Sequence, residues 1–497
     1  MEHEPENIEA VRRLVQAARA TKVPLYPISR GMNWGYGSRS PVVAGSELVN
    51  LGRMNRILNA DRISVDHPVA VLEPGVTQGQ LHDFLTAHCP QLTFNVTGSS
   101  RDTSILGNAL DRGVGYFGPR REDLFGLEVV CGSGQVLRTG FRRLGEQSPL
   151  AHSHPYGLGP MLDGLFFQGN FGIVTSACFR LVPRRPREVA ISMALSHEKN
   201  LAPFLDELAK LKRDGLLTSV THVANRARSH ATLAFGIATY LERQCGASAE
   251  QVRVETTQAL NLVAPFEWTS LAAVTGNSGQ VRAALAEIGA RMGKLAQIRH
   301  VTTARLNVAF AIADRLRTLR LTRLHAAALS AIRPLHGLAL GVPTDVAIEN
   351  LLWKFSRTDL APAHLDESNC GLLFVNPALP MDGGFVAAIV EEFKHIAQRH
   401  GHELYVTLNI ETASSMVAVI NLLFDRGQPA EVAQAHRCAD ALLEHIRASG
   451  LELYRARTDN MEAVVAADPD YWATVRALKG VLDPDNIIAP GRYNLAR

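Results

Sequence analysis

At 497 residues, 46% hydrophobic and 20% charged, the chain has the makeup of a globular protein with more than one core. A formal net charge of +3 leaves no electrostatic footprint for nucleic acid or an anionic membrane, and no apolar run is long enough to span a bilayer. Six scattered cysteines without a C-x-x-C pair read as reduced residues, and the acidic opening Met1-Glu2-His3-Glu4 lacks the apolar core of a secretory signal, which together predict a cytoplasmic protein.

Apolar residues Ile8, Val11, Leu14, Val15 and Ala18 have helical spacing over 7–20. Two prolines make 23–28 extended, and this segment feeds the glycine-rich stretch Pro27-Ile28-Ser29-Arg30-Gly31-Met32-Asn33-Trp34-Gly35-Tyr36-Gly37. Residues 48–51 and 69–72 predict short strands, and Thr77 caps a helix running to about His88. A second glycine turn starts at Gly98-Ser99-Ser100 and leads into a short helix over 104–112. Residues 124–131 and 136–139 predict a hairpin around Gly132-Ser133-Gly134. A third turn, Gly169-Asn170-Phe171-Gly172-Ile173-Val174-Thr175, opens a strand over 171–182. Pro183-Arg184-Arg185-Pro186 breaks the periodicity and marks the end of a first unit, 1–185.

From 186 to 450 helical patterns (196–213, 279–292, 311–333, 386–400, 429–449) alternate with strand-like runs (187–194, 216–224, 297–309, 371–377, 404–410, 416–424). The alternation predicts an α+β unit, a sheet with helices on one face. Residues 451–497 return to short elements, a helix over 468–480 and then Pro490-Gly491-Arg492, and are expected to rejoin the first unit.

Glycine turns of this kind let bare backbone N–H groups approach an anionic ligand. None is a phosphate site alone: the Walker pattern is absent, and no G-x-G-x-x-G stands between a strand and a helix. No G-x-S-x-G elbow supports a hydrolase. The pairs His152/His154 and His400/His402 lack a carboxylate-rich surround, so no metal is predicted.

Together these segments resemble the FAD-linked oxidases of the vanillyl-alcohol oxidase and 4-cresol dehydrogenase family. The resemblance is carried by Gly35-Tyr36-Gly37, by Val71-Leu72-Glu73-Pro74-Gly75-Val76-Thr77, by Ser104-Ile105-Leu106-Gly107-Asn108-Ala109 with Arg112-Gly113-Val114-Gly115-Tyr116, by His154-Pro155-Tyr156-Gly157, by Gly172-Ile173-Val174-Thr175, and by the tail Leu482-Asp483-Pro484 through Pro490-Gly491. It implies a two-part FAD-binding domain, 1–185 completed by 451–497, and an α+β cap domain, 186–450, whose antiparallel sheet is covered by helices. It also implies a homodimer.

By the same resemblance the diphosphate loop falls on Ser29, Arg30, Gly31, Met32, Asn33 and Trp34, flanked by Pro27 and Gly35. Gly98, Ser99, Thr103, Gly107 and Asn108 fall along the flavin and its ribityl chain, and Ile105 and Gly113 are also expected to bind the cofactor. Gly172, Ile173 and Val174 fall toward the adenine, and Arg492 near the cofactor. In the phenol-oxidising members two tyrosines and an arginine meet the phenolate oxygen, and they match Tyr36, Tyr454 and Arg455. A guanidinium and two phenolic donors would favour the phenolate, from which a benzylic hydride leaves most readily. The implied activity is hydride transfer from the benzylic carbon of a para-substituted phenol, or a related alcohol, to FAD, with dioxygen or an electron carrier as final acceptor. Oxidation of a non-phenolic hydroxy acid or sugar, and a non-redox use of the flavin, are the alternatives.

The sequence departs from the family at two points. Where vanillyl-alcohol oxidase has a flavin-bonded histidine, Met416-Val417-Ala418-Val419-Ile420 has none, and Tyr405 is the neighbouring tyrosine; FAD is expected to be non-covalent. The family aspartate beside the flavin matches Ser99, with Asp102 three residues on, and a serine cannot serve as a base at neutral pH.

Overall fold

The computed structural model describes residues 1–349 and 360–494. The helix Ile8–Thr21 starts where the Asn7 side chain accepts from the N–H of Ala10. It buries Val11, Val15 and Ala18 on Leu25, Val49, Val130 and Ile173, and on Ile487 and Ile488 from the far end of the chain. That one cluster joins two sheets. The first is parallel and three-stranded, in the order Glu2–His3, Glu47–Asn50, Leu25–Ile28. The second is antiparallel and four-stranded, in the order Val69–Leu72, Gly172–Arg180, Leu124–Cys131, Val136–Arg138. The last of these pairs is the predicted hairpin.

The tail is stitched into the first sheet. Leu25 donates to the carbonyl of Ile487 at 2.7 Å, and Ala489 donates to that of Leu25 at 2.7 Å. Behind it, Lys479 at the end of the helix Pro469–Leu482 donates to Asp483 and to the carbonyl of Ile488, both at 2.8 Å, while Asp483 accepts from the N–H groups of Ile487 and Ile488. A buried ion pair survives here because every charge is hydrogen-bonded.

The middle of the chain forms an eight-stranded sheet, antiparallel throughout. Its order is Gln297–Val301, Arg187–Leu195, Trp268–Gly276, Thr221–Asn225, Tyr405–Ile410, Ser415–Asp425, Cys370–Pro380, Leu453–Arg455. Side chains alternate between faces with period two. One set, including Val223, Leu408, Ile420 and Val375, packs on the helices Leu201–Arg213, Ser278–Met292, Gly383–Arg399 and Pro429–Ala448. The other set, including His222, Asn409, Asn421 and Phe374, faces the opposite way. A further group of helices, Arg226–Cys245, Ala249–Val263, Thr303–Arg315 and Arg320–Ala339, shares its own apolar cluster. The α+β class and the helix-covered antiparallel sheet expected from the sequence are what the molecule has.

Several elements differ from the sequence expectation. The run 297–309 is strand only to Val301; Thr302 then caps the helix Thr303–Arg315. The single helix expected over 311–333 is two, broken at 316–319 and resumed at Arg320–Ala339. The helices Arg226–Cys245 and Ala249–Val263 and the strand Trp268–Gly276 went unpredicted. Their alanines, threonines and a mid-helix Gly236 blur both the 3.6 and the 2.0 period. Among the described residues no helix is long and apolar enough to cross a membrane, no disulfide links any of the six cysteines, and no cluster of His, Cys, Asp and Glu could hold a metal ion.

Candidate active site

A cleft runs between the turn at 27–33, the helix Ile105–Leu110 and the lead into the strand Gly172–Arg180. Gly31 has φ +71°, the left-handed conformation on which a concave run of backbone N–H groups depends. The helix begins at Ser104, whose Oγ accepts from the N–H of Gly107 at 2.9 Å and donates to the carbonyl of Pro74 at 2.6 Å. A Cβ on Gly107 would lie 2.7 Å from Ser29 Oγ, so helix and turn come closer than a side chain would allow.

Two guanidinium groups, Arg455 and Arg492, also line the cleft, and Asp111 holds both. Arg492 reaches both carboxylate oxygens of Asp111 at 3.2 Å and the Tyr26 hydroxyl at 3.1 Å. Burial works against the Arg492 charge, but Tyr26 and Asp111 outweigh it and raise the pKa above the ordinary arginine value. An elongated, glycine-walled cleft with two fixed cations at its side fits a dinucleotide carrying a diphosphate.

Of the residues singled out for the cofactor, Pro27, Ser29, Arg30, Gly31, Met32, Asn33, Thr103, Gly107, Asn108, Gly172, Ile173, Val174 and Arg492 lie on this wall. The remaining six lie off it. Trp34 is buried among Leu365, Cys370 and Leu423, and a Cβ on Gly35 would sit 2.5 Å from the Phe374 ring. Ile105 is wholly within the core, and Gly113 packs on the Asn108 side chain. Ser99 bonds Thr103 hydroxyl to hydroxyl at 2.7 Å, and Gly98 lies under Tyr116. Sequence reasoning missed Tyr26, Asp111, Gln168 and Asn170 on the same wall. Asp111 had one visible signal, an acid placed directly after the short helix.

At the Arg455 end, Tyr36 is nearly sealed from solvent and stacks on Phe374 with ring centroids 5.0 Å apart. The carbonyl of Tyr36 accepts from the N–H and Oγ1 of Thr458, which pins the turn beside the strand Leu453–Arg455. That strand pairs with Cys370–Pro380 across an irregularity at Asn376/Pro377, where Asn376 stands opposite Arg455. Asn376 donates to the Tyr36 hydroxyl oxygen, which leaves the tyrosine's own proton free for another acceptor. Arg455 lies over the Tyr36 ring, its guanidinium carbon 4.1 Å from the centroid, and also donates to Asn33.

Tyr454 projects close to the same place, since Glu411, Arg455, Arg112 and Tyr36 all act on its ionisation. Its hydroxyl is buried with no hydrogen-bond partner among the described residues, as is Asn376 Oδ1. Burial raises the pKa of both tyrosines, so both remain donors at neutral pH. Tyr36 is thus the neighbour of Arg455, far from it in sequence, and Tyr454, the residue before Arg455, lies within electrostatic reach of both. Asp102 is exposed, while Glu411 is buried with Oε1 unpartnered. Burial, with Glu122 nearby, pushes the Glu411 carboxyl up to about 7, against the pull of Lys212.

The FAD binding domain family matches residues 3–140. The 1'-carboxy-chondrochloren decarboxylase of Chondromyces crocatus is 31% identical over 99% of this chain and 89% of its own length. The 4-cresol dehydrogenase [hydroxylating] flavoprotein subunit of Pseudomonas putida is 26% identical over 98% of this chain and 86% of its own. Among solved structures, 4-ethylphenol oxidase from Gulosibacter chungangensis superposes with a TM-score of 0.82 at 24% identity, covering 99% of this chain and 89% of that one, which establishes the shared fold. With the glycine-walled cleft and its paired arginines, these matches make the chain an FAD-dependent enzyme that belongs to the FAD-linked oxidases of the vanillyl-alcohol oxidase and 4-cresol dehydrogenase family.

Proposed function

We propose that this enzyme oxidises a para-substituted phenol at its benzylic carbon. One observation carries the proposal: the buried Tyr454 hydroxyl without a partner, within electrostatic reach of Tyr36, whose own proton is free, and of the Arg455 guanidinium that lies over the Tyr36 ring. Such a trio suits one phenolate oxygen. The guanidinium favours loss of the phenol's proton, and the two hydroxyls donate to the resulting oxyanion and set the ring's register. Asp111 keeps Arg455 from swinging away, and Asn376 keeps the proton of Tyr36 pointed outward.

FAD, when bound, supplies the hydride acceptor. The residues that would hold it are the turn at 29–33 for the diphosphate, Thr103, Gly107 and Asn108 along the flavin side, and Ile173 and Val174 toward the adenine, with Arg492 as a fixed cation. In this reading 1–185 and 451–497 form the FAD-binding domain and 186–450 the cap. The hydroxyl pair Ser99–Thr103 stands where a family member would carry a carboxylate, so the family's base is missing from that turn. No histidine or tyrosine occupies 416–420, in keeping with FAD held without a covalent link.

The names of the two full-length relatives describe different outcomes, loss of a carboxyl group in one and dehydrogenation with hydroxylation in the other. The fate of the oxidised product is therefore set by the other groups the substrate carries. A cytoplasmic homodimer belongs to the same reading, and Val308 and Ile312, with Leu316 at the end of the same helix, supply an exposed apolar stripe for self-association.

Anaerobic addition of 4-alkylphenols to the yellow holoprotein tests the reaction. Bleaching of the flavin band that is slowed in Tyr454→Phe and Arg455→Ala is the expected result. If no phenol bleaches the flavin and a hydroxy acid does, the phenol assignment fails and the hydroxy-acid alternative takes its place.

A further inference from the structure

On the face of the eight-stranded sheet that carries His222 and Phe374, a second polar group lies apart from the Tyr36 cluster. The Tyr116 ring lies 4.1 Å, centroid to centroid, from that of His222, whose Nδ1 bonds Asn409 Oδ1 at 2.7 Å. Tyr116 packs over Gly98, on which a Cβ would be 3.6 Å from the tyrosine hydroxyl. Beside Tyr116 and Tyr405 stands Arg228, from the first turn of the helix Arg226–Cys245. Its Nη1 is sealed from solvent without a hydrogen-bond partner, and no carboxylate pairs with it among the described residues. His222 Nε2, Thr269 Oγ1 and Asn421 Oδ1 are likewise buried and unpartnered. Burial holds the His222 imidazole down at about 4, so it is neutral and Arg228 is the positive charge of this group.

A buried guanidinium nitrogen without a partner is costly, and natural proteins keep one where a ligand completes it. The register places it relative to the phenol cluster. Tyr405 is directly opposite Asn421, Asn421 is opposite Phe374, and Phe374 carries Tyr36. Two strand spacings, roughly 10 Å, therefore separate the Tyr405 position beside Arg228 from the ring under Tyr36. That is the reach of a para-hydroxyphenyl ring with a short acid side chain.

We propose that Arg228, flanked by the Tyr116 hydroxyl, binds a carboxylate at the far end of the phenol held by Tyr36, Tyr454 and Arg455, so that the substrate is a para-hydroxyphenyl acid. This rests on the phenol assignment above and adds the second anchor. A single guanidinium among tyrosines matches one negative charge; a phosphate dianion would leave charge unbalanced. The burial that lowers the Arg228 pKa is the same burial that makes the carboxylate contact strong.

The test uses holoprotein and two probes of nearly one shape, 3-(4-hydroxyphenyl)propanoate and its methyl ester, titrated against the visible spectrum of the bound flavin. The acid should bind about 30-fold more tightly than the ester, a difference typical of a charge-assisted contact. In Arg228→Met the two should bind alike, and Arg228→Lys should keep part of the preference. The melting temperature of Arg228→Met should equal or exceed that of the parent, because a buried donor without a partner has been removed. Equal binding of acid and ester by the parent, or a preference that survives Arg228→Met, overturns the proposal. If neither probe reduces the flavin but the acid still perturbs its spectrum in an Arg228-dependent way, the anion site stands and the phenol chemistry falls. If the ester binds and reduces as well as the acid, the phenol chemistry stands and the anion site falls.

Discussion

Asp111 binds Arg455 and Arg492 together, one carboxylate between two buried guanidinium groups. It ties a residue of the substrate cluster to one of the cofactor cleft. Replacing it with Asn leaves two like charges facing each other without compensation. Asp111→Asn should lose about 3–5 kcal/mol of stability, the range for breaking a buried pair on one side. A urea midpoint shift in the holoprotein measures it, and a midpoint within error of the parent would show that Asp111 is not holding the pair.

In the proposed reaction Arg455 and Tyr36 act on the oxidised ring, so their removal should slow hydride loss more than it weakens binding. Arg455→Ala should cut the rate of anaerobic flavin reduction by a phenol about 10²–10³-fold, as loss of an oxyanion donor does. Asn376→Ala should give a smaller loss, because it only aims the Tyr36 proton. Stopped-flow reduction at saturating phenol separates these effects from affinity.

The two walls of the cleft meet at Gly107, where an added methyl would sit 2.7 Å from Ser29 Oγ. Gly107→Ala must push helix and turn apart, at a cost of about 1–3 kcal/mol for overpacking. Its FAD affinity, read from flavin fluorescence on reconstitution, should fall at least about tenfold. Acid precipitation of the parent should leave the yellow colour in the supernatant; colour in the pellet would mean a covalent link.

Glu411 gives a pH prediction. Its carboxyl lies near Glu122, Lys212 and Tyr454, and burial raises its pKa from 4.5 to about 7. The folded state then binds the proton more tightly than the unfolded chain, so the protonated form stabilises the fold. That contribution is complete below pH 4.5 and is lost as the pH rises through about 7. Glu411→Gln, neutral throughout, should match the parent in acid and exceed it in stability above pH 7, by on the order of 3 kcal/mol. Chemical unfolding at pH 4.5 and pH 8 checks the sign. A variant no more stable at pH 8 would show that Glu411 is ionised without penalty.

Most of the cleft was legible in the sequence because its wall is backbone. Positions such as Gly31 and Gly107 are conspicuous wherever chain meets chain too closely for a Cβ, and they announce themselves locally. Tyr36, Tyr454 and Arg455 were legible only through resemblance, since nothing local says that residue 36 will meet residue 454. Asn376, His222, Asn409 and Glu411 were not legible. His222, Asn409 and Asn376 come from three strands whose neighbours are fixed by the sheet order and register, with Glu411 directly after the second of them, and a slip of one residue would turn each strand residue into the helix-packed core. Trp34 and Ile105 differ in the other direction: they sit within glycine-rich motifs yet spend their side chains on packing.

The tail that crosses back to Leu25 also has a consequence for how the enzyme is made. Arg492 is among the last residues described, yet it lines the cleft that opens at Pro27. While the chain is still being synthesised, the turn at 27–33 waits for a strand partner and a cation that the ribosome has not yet delivered. If the cleft holds FAD as proposed, cofactor capture should be a late event, after the eight-stranded sheet that separates the two parts of the cleft wall in sequence has been made. In that reading a chain without the final dozen described residues should fold most of its mass yet release its flavin, so bound yellow colour would report that translation ran through the tail.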